Sequence, residues 1–374
     1  MGHSKIPLLW IPGQDSKKAE RAFLTINRSA VQIDPTELRI LSGRFEPNAI
    51  AARAIVRNAS GHRYWDKFSI KGRREVESLG REIYASLYNP PLEAPIRTAD
   101  LPMAGPGYGS QTLPLIFDFV NIANGLPVVD ASKTRRKDSE SVTVANEADT
   151  LRVMRNAVKM ARRLTGTHAS SLALHPAIYF YSSNGRHQPT AVLAFTVLVK
   201  HLEDERLLNE FTSVRHLFED FLTENKGFIN QLTTQYGSMT KGYRQLKDYL
   251  LFVLNLFIQG SSGSEVLEAL SLSDKYQKLV KYSPVLAQSA NGFSKSLRQW
   301  KFLKDALAVS FTCGICGSKL NARTSTMDHK KDLKHGGKDA GDNAQWAHPY
   351  CNSTFKDAAA KLAQSADMTR VSRS

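Results

Sequence analysis

All three cysteines of this chain fall inside one short stretch, and that placement constrains the fold more than any other feature. Cys313 and Cys316 form a Cys-x-x-Cys pair, and His348 and Cys351 form a His-x-x-Cys pair. Three thiols and one imidazole at paired spacing are the ligand count of a tetrahedral zinc site. With every cysteine assigned to this cluster, none remains for a disulfide, which predicts a reducing, cytoplasmic setting.

Between the two ligand pairs lie an Asp328-His329 step, the glycines Gly336 and Gly337, and Asn343; Asn352 follows the last cysteine. Together these residues resemble the HNH (ββα-metal) endonucleases, whose pattern here is His329, Asn343 and Asn352. The resemblance implies hydrolysis of a phosphodiester bond, which needs an activated water and a cation to neutralise charge on the phosphate and the leaving oxygen. It gives His329 the role of general base, because an imidazole accepts a proton near neutral pH. Asp328 and the side-chain oxygen of Asn352 would hold a hard cation, Mg²⁺ or Mn²⁺. Asn343 would brace the loop that orients His329. Zn²⁺ on Cys313, Cys316, His348 and Cys351 would be structural, fastening two short strands to a helix in a unit too small to be held by a core.

Other readings of the same residues stand beside this one. A Cys₃His cluster alone is often a structural knuckle, and a DNA-binding protein without catalysis would need nothing more. An RNA-directed nuclease is a third reading, since the HNH fold does not dictate the sugar. Gly336 and Gly337 fit a tight turn after the first strand. His335 reads as an exposed phosphate contact rather than a substitute ligand. Lys330, Lys331, Lys334, Lys338 and Lys356 read as a solvated face that also meets the nucleic-acid backbone.

Charge agrees with a polyanionic partner. The 374 residues carry a net charge of +15 and a pI near 9.7, which favours nucleic acid, here double-stranded DNA. A membrane is not expected: the apolar run from Tyr249 to Ile258 is about half of what crosses a bilayer, and the N-terminal apolar run is too short for a secretory signal. A homo-oligomer or a partner protein of a defence system remains open.

The rest of the chain reads as mostly helical. Asp34-Pro35-Thr36-Glu37 is a helix start, and Pro47 opens a second helix. Further helices are expected over residues 73–87, 113–122, 147–164, 190–204, 207–224, 240–259 and, broadly, 265–310. Leu151, Met154, Val158 and Ala161 form one apolar face. Arg152, Arg155, Lys159, Arg162 and Arg163 lie mostly off it, as a solvated face or a DNA-facing one. Residues 131–146 are the best candidate linker. His175 and His201 read as packed or surface histidines.

Phe23, Ile26, Asn27 and Glu37 match a segment of the ParB-like domain of GmrSD-type restriction proteins, and the resemblance implies a role in defence against foreign or modified DNA. Pro12-Gly13-Gln14-Asp15 lacks the arginine and the order of that family's nucleotide signature, so nucleotide hydrolysis is not expected. The expected fold is α+β and predominantly helical. A mixed α/β targeting domain (1–130) and a helical domain (131–295) precede a zinc-stabilised ββα nuclease domain with a flexible tail (296–374).

Overall fold

A computed structural model describes Thr36, Ile40 and residues 43–128, 145–281 and 293–359. The Asp34-Pro35 helix start, the ParB-like matches at Phe23, Ile26, Asn27 and Glu37, most of the 131–146 stretch and the C-terminal tail lie outside these residues.

The fold is predominantly helical, with one small sheet near the C-terminus. Helix α1 (Pro47–Val56) starts at its proline, whose fixed φ and missing N–H suit a first turn. It is the centre of the first helical group: Ala49, Ala51, Ala52, Ala54, Ile50 and Ile55 are all buried. Its small side chains let α2 (Ile70–Tyr88), α3 (Thr112–Ala123) and α4 (Glu147–Leu164) approach closely. On α2, a Cβ placed on Gly80 would sit 3.2 Å from the Ala54 carbonyl oxygen, so this crossing has no room for a larger residue. Asn48 donates to Asn121 at 2.8 Å, tying α1 to α3 through a buried amide pair.

Helix α4 carries its basic residues in ion pairs. Its N-cap Asn146 accepts from Asp149 N–H, and Leu151, Met154, Val158 and Ala161 are buried as the apolar periodicity requires. The cations alongside are engaged by carboxylates. Arg155 meets Glu75 at 2.5 Å and Arg162 meets Glu82 at 2.6 Å, both on α2. Lys159 and Arg163 share Glu203 at 3.2 and 3.1 Å, and Arg152 pairs with Asp149 at 2.9 Å. These pairs brace one helix against its neighbours and neutralise the charge that would otherwise face a polyanion.

The second helical group follows. The short α5 (Pro176–Tyr179) leads to α6 (Pro189–Asp204), α7 (Leu208–Glu224), α8 (Gly227–Tyr236) and α9 (Tyr243–Ile258). Helix α9 lies against α6 and α7, and α6 against α3, so one buried cluster runs through both groups. Helix α8 lies where no helix is expected from the sequence. The chain turns at residues 259–260, and Ser262 caps α10 (Gly263–Leu272) through a reciprocal bond with Glu265. Helix α11 (Gln277–Lys281) and helix α12 (Lys295–Ala308) complete the body, and α12 runs directly toward Cys313. Among the described residues no helix is long and apolar enough to cross a membrane.

The sheet is a two-stranded antiparallel pair, β1 (Thr326–His329) and β2 (Ala344–Ala347). Its register sets Met327 opposite Trp346, Asp328 opposite Gln345 and His329 opposite Ala344. Among the described residues no strand lies ahead of it, only isolated antiparallel bridges between Tyr181 and His187 and between Thr312 and Lys319. After β2 the chain passes through His348 into a π-helical turn, Cys351–Phe355, giving the ββα unit.

Candidate metal centre and nuclease site

The metal centre is built by two turns. After Cys313 the chain folds back so that Gly317 N–H donates to Cys313 O and Cys313 N–H donates to Ser318 O, at 2.9 and 2.8 Å. Gly317 makes this possible with a φ of +75°. The second turn delivers His348 and Cys351 from the end of β2, and Gly314 N–H bonds to Trp346 O at 2.9 Å to hold the two halves in register.

Cys313, Cys316, His348 and Cys351 are all buried, and their ligand atoms lie within 4.8 Å of one another. Sulfurs on a zinc ion at about 2.3 Å stand about 3.8 Å apart, so the group fits zinc. His348 Nδ1 is 3.4 Å from the Cys316 sulfur and 3.8 Å from that of Cys351. Its other nitrogen, Nε2, lies 3.1 Å from the Lys319 carbonyl, which fixes it as the N–H donor and leaves Nδ1 for a metal. Three sulfurs this close repel one another when ionised. Hydrogen bonds from Cys316 and Cys351 pull the Cys313 thiol far down, while contacts with Cys313 and Cys316 push Cys351 up. A divalent cation relieves that conflict, and this buried Cys₃His group can bind a metal such as zinc.

The second group of residues lies at β1 and the turn that follows β2. Asp328 is buried: its Oδ2 accepts from Gln345 Nε2 at 2.7 Å and its Oδ1 from Lys356 Nζ at 3.0 Å. Lys356 also donates to Asp332 Oδ1 at 2.7 Å and to the His329 carbonyl. This corrects the expectation of a solvated face for Lys356. The π-helical turn brings it back over β1, where its ammonium sits between two carboxylates. Its hydrogen bond holds the Asp332 carboxyl below the usual carboxylate range.

His329 is the last residue of β1, partly exposed, with Nε2 3.2 Å from Asp339 Oδ1. Successive strand residues project to opposite faces, so Asp328 and His329 reach a common ligand only along the edge of β1 that faces away from β2.

Asn343 is used up by the loop between the strands. It donates from Nδ2 to Lys331 O and Lys338 O at 2.9 and 2.8 Å, and its Oδ1 accepts from Lys331 N–H at 2.9 Å. The loop turns through Gly336, at φ +84°, and Gly337, where a Cβ would lie 1.9 Å from the Lys331 carbonyl oxygen. Asn352 stands on the π-helical turn and donates from Nδ2 to Met327 O at 3.1 Å, one residue from Asp328. Among the described residues its Oδ1 makes no hydrogen bond. His335 is exposed, 3.7 Å from Asp332, and away from the cysteines.

Sequence reasoning missed Asp339 on His329, Gln345 on Asp328 and Glu219 on Lys319, and it named Lys356 without its partner Asp328. For Gln345 the strand register would have sufficed, because it faces Asp328 directly. The others depend on loop and helix placement that no local spacing reveals.

The module is seated on the helical body by polar contacts. Glu219 Oε2 accepts from Lys319 N–H at 2.9 Å. Tyr350 N–H donates to Ser171 O at 2.9 Å, its hydroxyl donates to Asn209 at 2.9 Å, and Ser353 donates to Ala169 O at 2.6 Å. Asn321 and Arg323 reach Asp100 at 3.3 and 3.5 Å.

Comparison with known proteins agrees with this geometry. The sequence model of the HNH endonuclease family matches residues 313–357, which span both groups of residues. No curated protein and no solved structure matches the chain.

Proposed function

We propose that the protein is a metal-dependent endonuclease that hydrolyses phosphodiester bonds in DNA, with its reacting residues at β1 and the π-helical turn. The observation that supports this reading is that Asp328 and His329 are neighbours on β1 and Asn352 donates to Met327 O of the same strand, within the stretch that matches the HNH family.

His329 is the general base. Asp339 on Nε2 orients the ring and leaves Nδ1 to take a proton from water, which supplies the attacking oxygen. Asp328 and Asn352 Oδ1 would hold Mg²⁺ or Mn²⁺, which would neutralise charge on the phosphate and the leaving oxygen. The acidic setting suits a cation: Asp328 and Asp332 already gather around the Lys356 ammonium. Lys356 also bonds to Asp332 Oδ1 at 2.7 Å, so it would keep a partner were Asp328 Oδ1 to turn to a cation. Asn343 holds the loop that carries Lys331 and Asp339. Zinc at the four buried ligands is structural.

In this reading residues 296–374 form the nuclease part, residues 131–295 its helical platform, and residues 1–130 a targeting region that works without a nucleotide. Restriction of foreign or modified DNA is the setting we favour, on the ParB-like segment alone.

The test incubates the purified chain with plasmid DNA and with RNA, with and without Mg²⁺ or Mn²⁺. Metal-dependent cutting of DNA is expected, and His329→Ala should reduce it by about a hundredfold or more with zinc content unchanged. Cutting of RNA alone would move the substrate, and equal cutting by His329→Ala would remove His329 from the mechanism.

A further inference from the structure

The body beneath the zinc module contains a charged pair that is wholly out of water. Arg215 and Glu219 stand one turn apart on α7, 0% and 1% exposed, with Arg215 Nε donating to Glu219 Oε1 at 2.8 Å. The rest of the guanidinium caps backbone: Nη1 donates to Leu172 O at 2.6 Å, and Nη2 reaches Ala173 O at 3.4 Å. Tyr179 donates its hydroxyl to the same Glu219 oxygen at 2.8 Å. A buried pair of this kind contributes little to stability compared with an apolar pair of the same size, which invites the question of what it faces.

It faces the metal centre. Glu219 Oε2 accepts from Lys319 N–H at 2.9 Å, and the carbonyl of that same Lys319 accepts from His348 Nε2 at 3.1 Å. Gly317, which follows the ligand Cys316, lies on α7 so closely that a Cβ there would be 3.6 Å from the His216 Cβ. An unbroken series of contacts thus runs from Arg215 through Glu219 and Lys319 to a metal ligand.

The charges explain why a cation is needed there. A zinc ion with three thiolates and a neutral imidazole has a net charge of −1, and this site is closed to water. A buried uncompensated charge is expensive. Glu219 and the zinc-loaded ligand cluster would each carry a net charge of −1, and Arg215, paired with Glu219 at 2.8 Å, is a buried cation shared between these two anions. Burial acts to discharge Arg215, but Tyr179, Glu219 and the sulfurs of Cys316 and Cys351 outweigh it and hold the guanidinium charged.

We infer that the helical body supplies the outer half of the zinc site: Arg215 is the counter-charge of the thiolates, and Glu219 is the anchor that, through Lys319, orients His348. Both are positioning residues and neither is a ligand. The inference does not depend on whether the module cuts nucleic acid.

The test measures zinc affinity of the full-length chain by competition with a chromophoric chelator, and thiolate coordination by the absorption bands of the Co²⁺-substituted protein. Arg215→Met should weaken zinc about 10- to 100-fold, the range for loss of an outer partner. Arg215→Lys, which keeps the charge and loses the fork, should stay within about threefold of wild type even if its melting temperature falls. Glu219→Ala should weaken zinc and shift the Co²⁺ bands, because His348 loses its orientation. A purely structural Arg215 predicts that zinc is lost in proportion to stability, in Arg215→Lys as in Arg215→Met. A folded Arg215→Lys variant with zinc weakened tenfold or more would therefore overturn the counter-charge role, as would wild-type affinity in Arg215→Met.

Discussion

The helical body and the metal-binding module are held together by opposite means. The body buries its large side chains: Trp65, Phe117, Phe119, Phe180, Phe195 and Phe218 are all essentially inaccessible. The module and the turn leading into it expose theirs: Phe311, Met327, Leu333 and Trp346 are between 42% and 62% exposed. What the module buries, besides its cysteines, amounts to little more than Leu320, Ala347, Tyr350 and Phe355. Apolar burial stabilises by about 25 cal/mol per Å², so a unit with so little of it needs another source. The four buried residues that can bind a metal such as zinc, and the polar seat on α7, are the sources at hand. The difference teaches that the module, with little core of its own, leans on its buried ligand cluster and on its neighbour, whereas the body rests on its own core.

The sharpest way to break this comparison is to take the metal away. Cys313→Ser, or a strong chelator, should remove the order of residues 313–359, since structural zinc supplies on the order of 10 kcal/mol or more in small units. Trp346 fluorescence should change while the helical circular dichroism signal is largely retained. Loss of the helical signal in step with the metal would show that body and module form one cooperative unit.

The body should respond instead to acid. His187 lies partly buried with Nε2 3.2 Å from Met103 O, and loss of solvent around the ring lowers its pKa to about 4, only partly offset by that bond. The ring is neutral in the folded chain, while the unfolded chain takes up a proton near pH 6.5. Stability should therefore fall as the pH drops from about 6.5 toward 4 and level off below, a loss on the order of 3 kcal/mol. Burial also lowers His175, 2% exposed, to about 4, so urea midpoints across that range should show a slope in wild type that His187→Gln reduces and the double variant with His175→Gln flattens. An unchanged slope in His187→Gln would place the acid sensitivity elsewhere.

The two regions are also unequally legible in the sequence. Helices announced by a proline or a capping side chain are placed almost to the residue, as with Pro47, Pro189 and Asn146. Helix α8 escapes such a reading because it opens on Gly227 and carries Thr233 and Thr234, poor helix formers, around only a few buried residues. The four cluster residues are visible because their spacing is local. Arg215 and Glu219 are not, because what gives them meaning is Lys319, far along the chain. Lys356 looks like one more surface lysine, and only the π-helical turn that carries it reveals Asp328 and Asp332 as its partners.

The smallest expected effect concerns which region meets nucleic acid, and it sharpens the comparison most finely. The cations of α4 are exposed but paired, so removing one trades an ion pair for a free carboxylate. Arg155→Ala and Arg162→Ala should each cost about 0.2–1 kcal/mol of stability, the range for exposed pairs. They should leave the salt dependence of DNA binding nearly unchanged, because Glu75 and Glu82 already neutralise them. Lys331 and Lys338 differ: their backbones are fixed by Asn343 while their side chains are exposed beside His329 and Asp339. Replacing either by alanine should barely affect folding but should lower the slope of log affinity against log salt by about 1 for each phosphate that the lysine no longer neutralises. If the α4 substitutions weaken DNA binding more than the lysine substitutions do, nucleic acid lies on the helical body, and the module holds the chemistry without the binding surface.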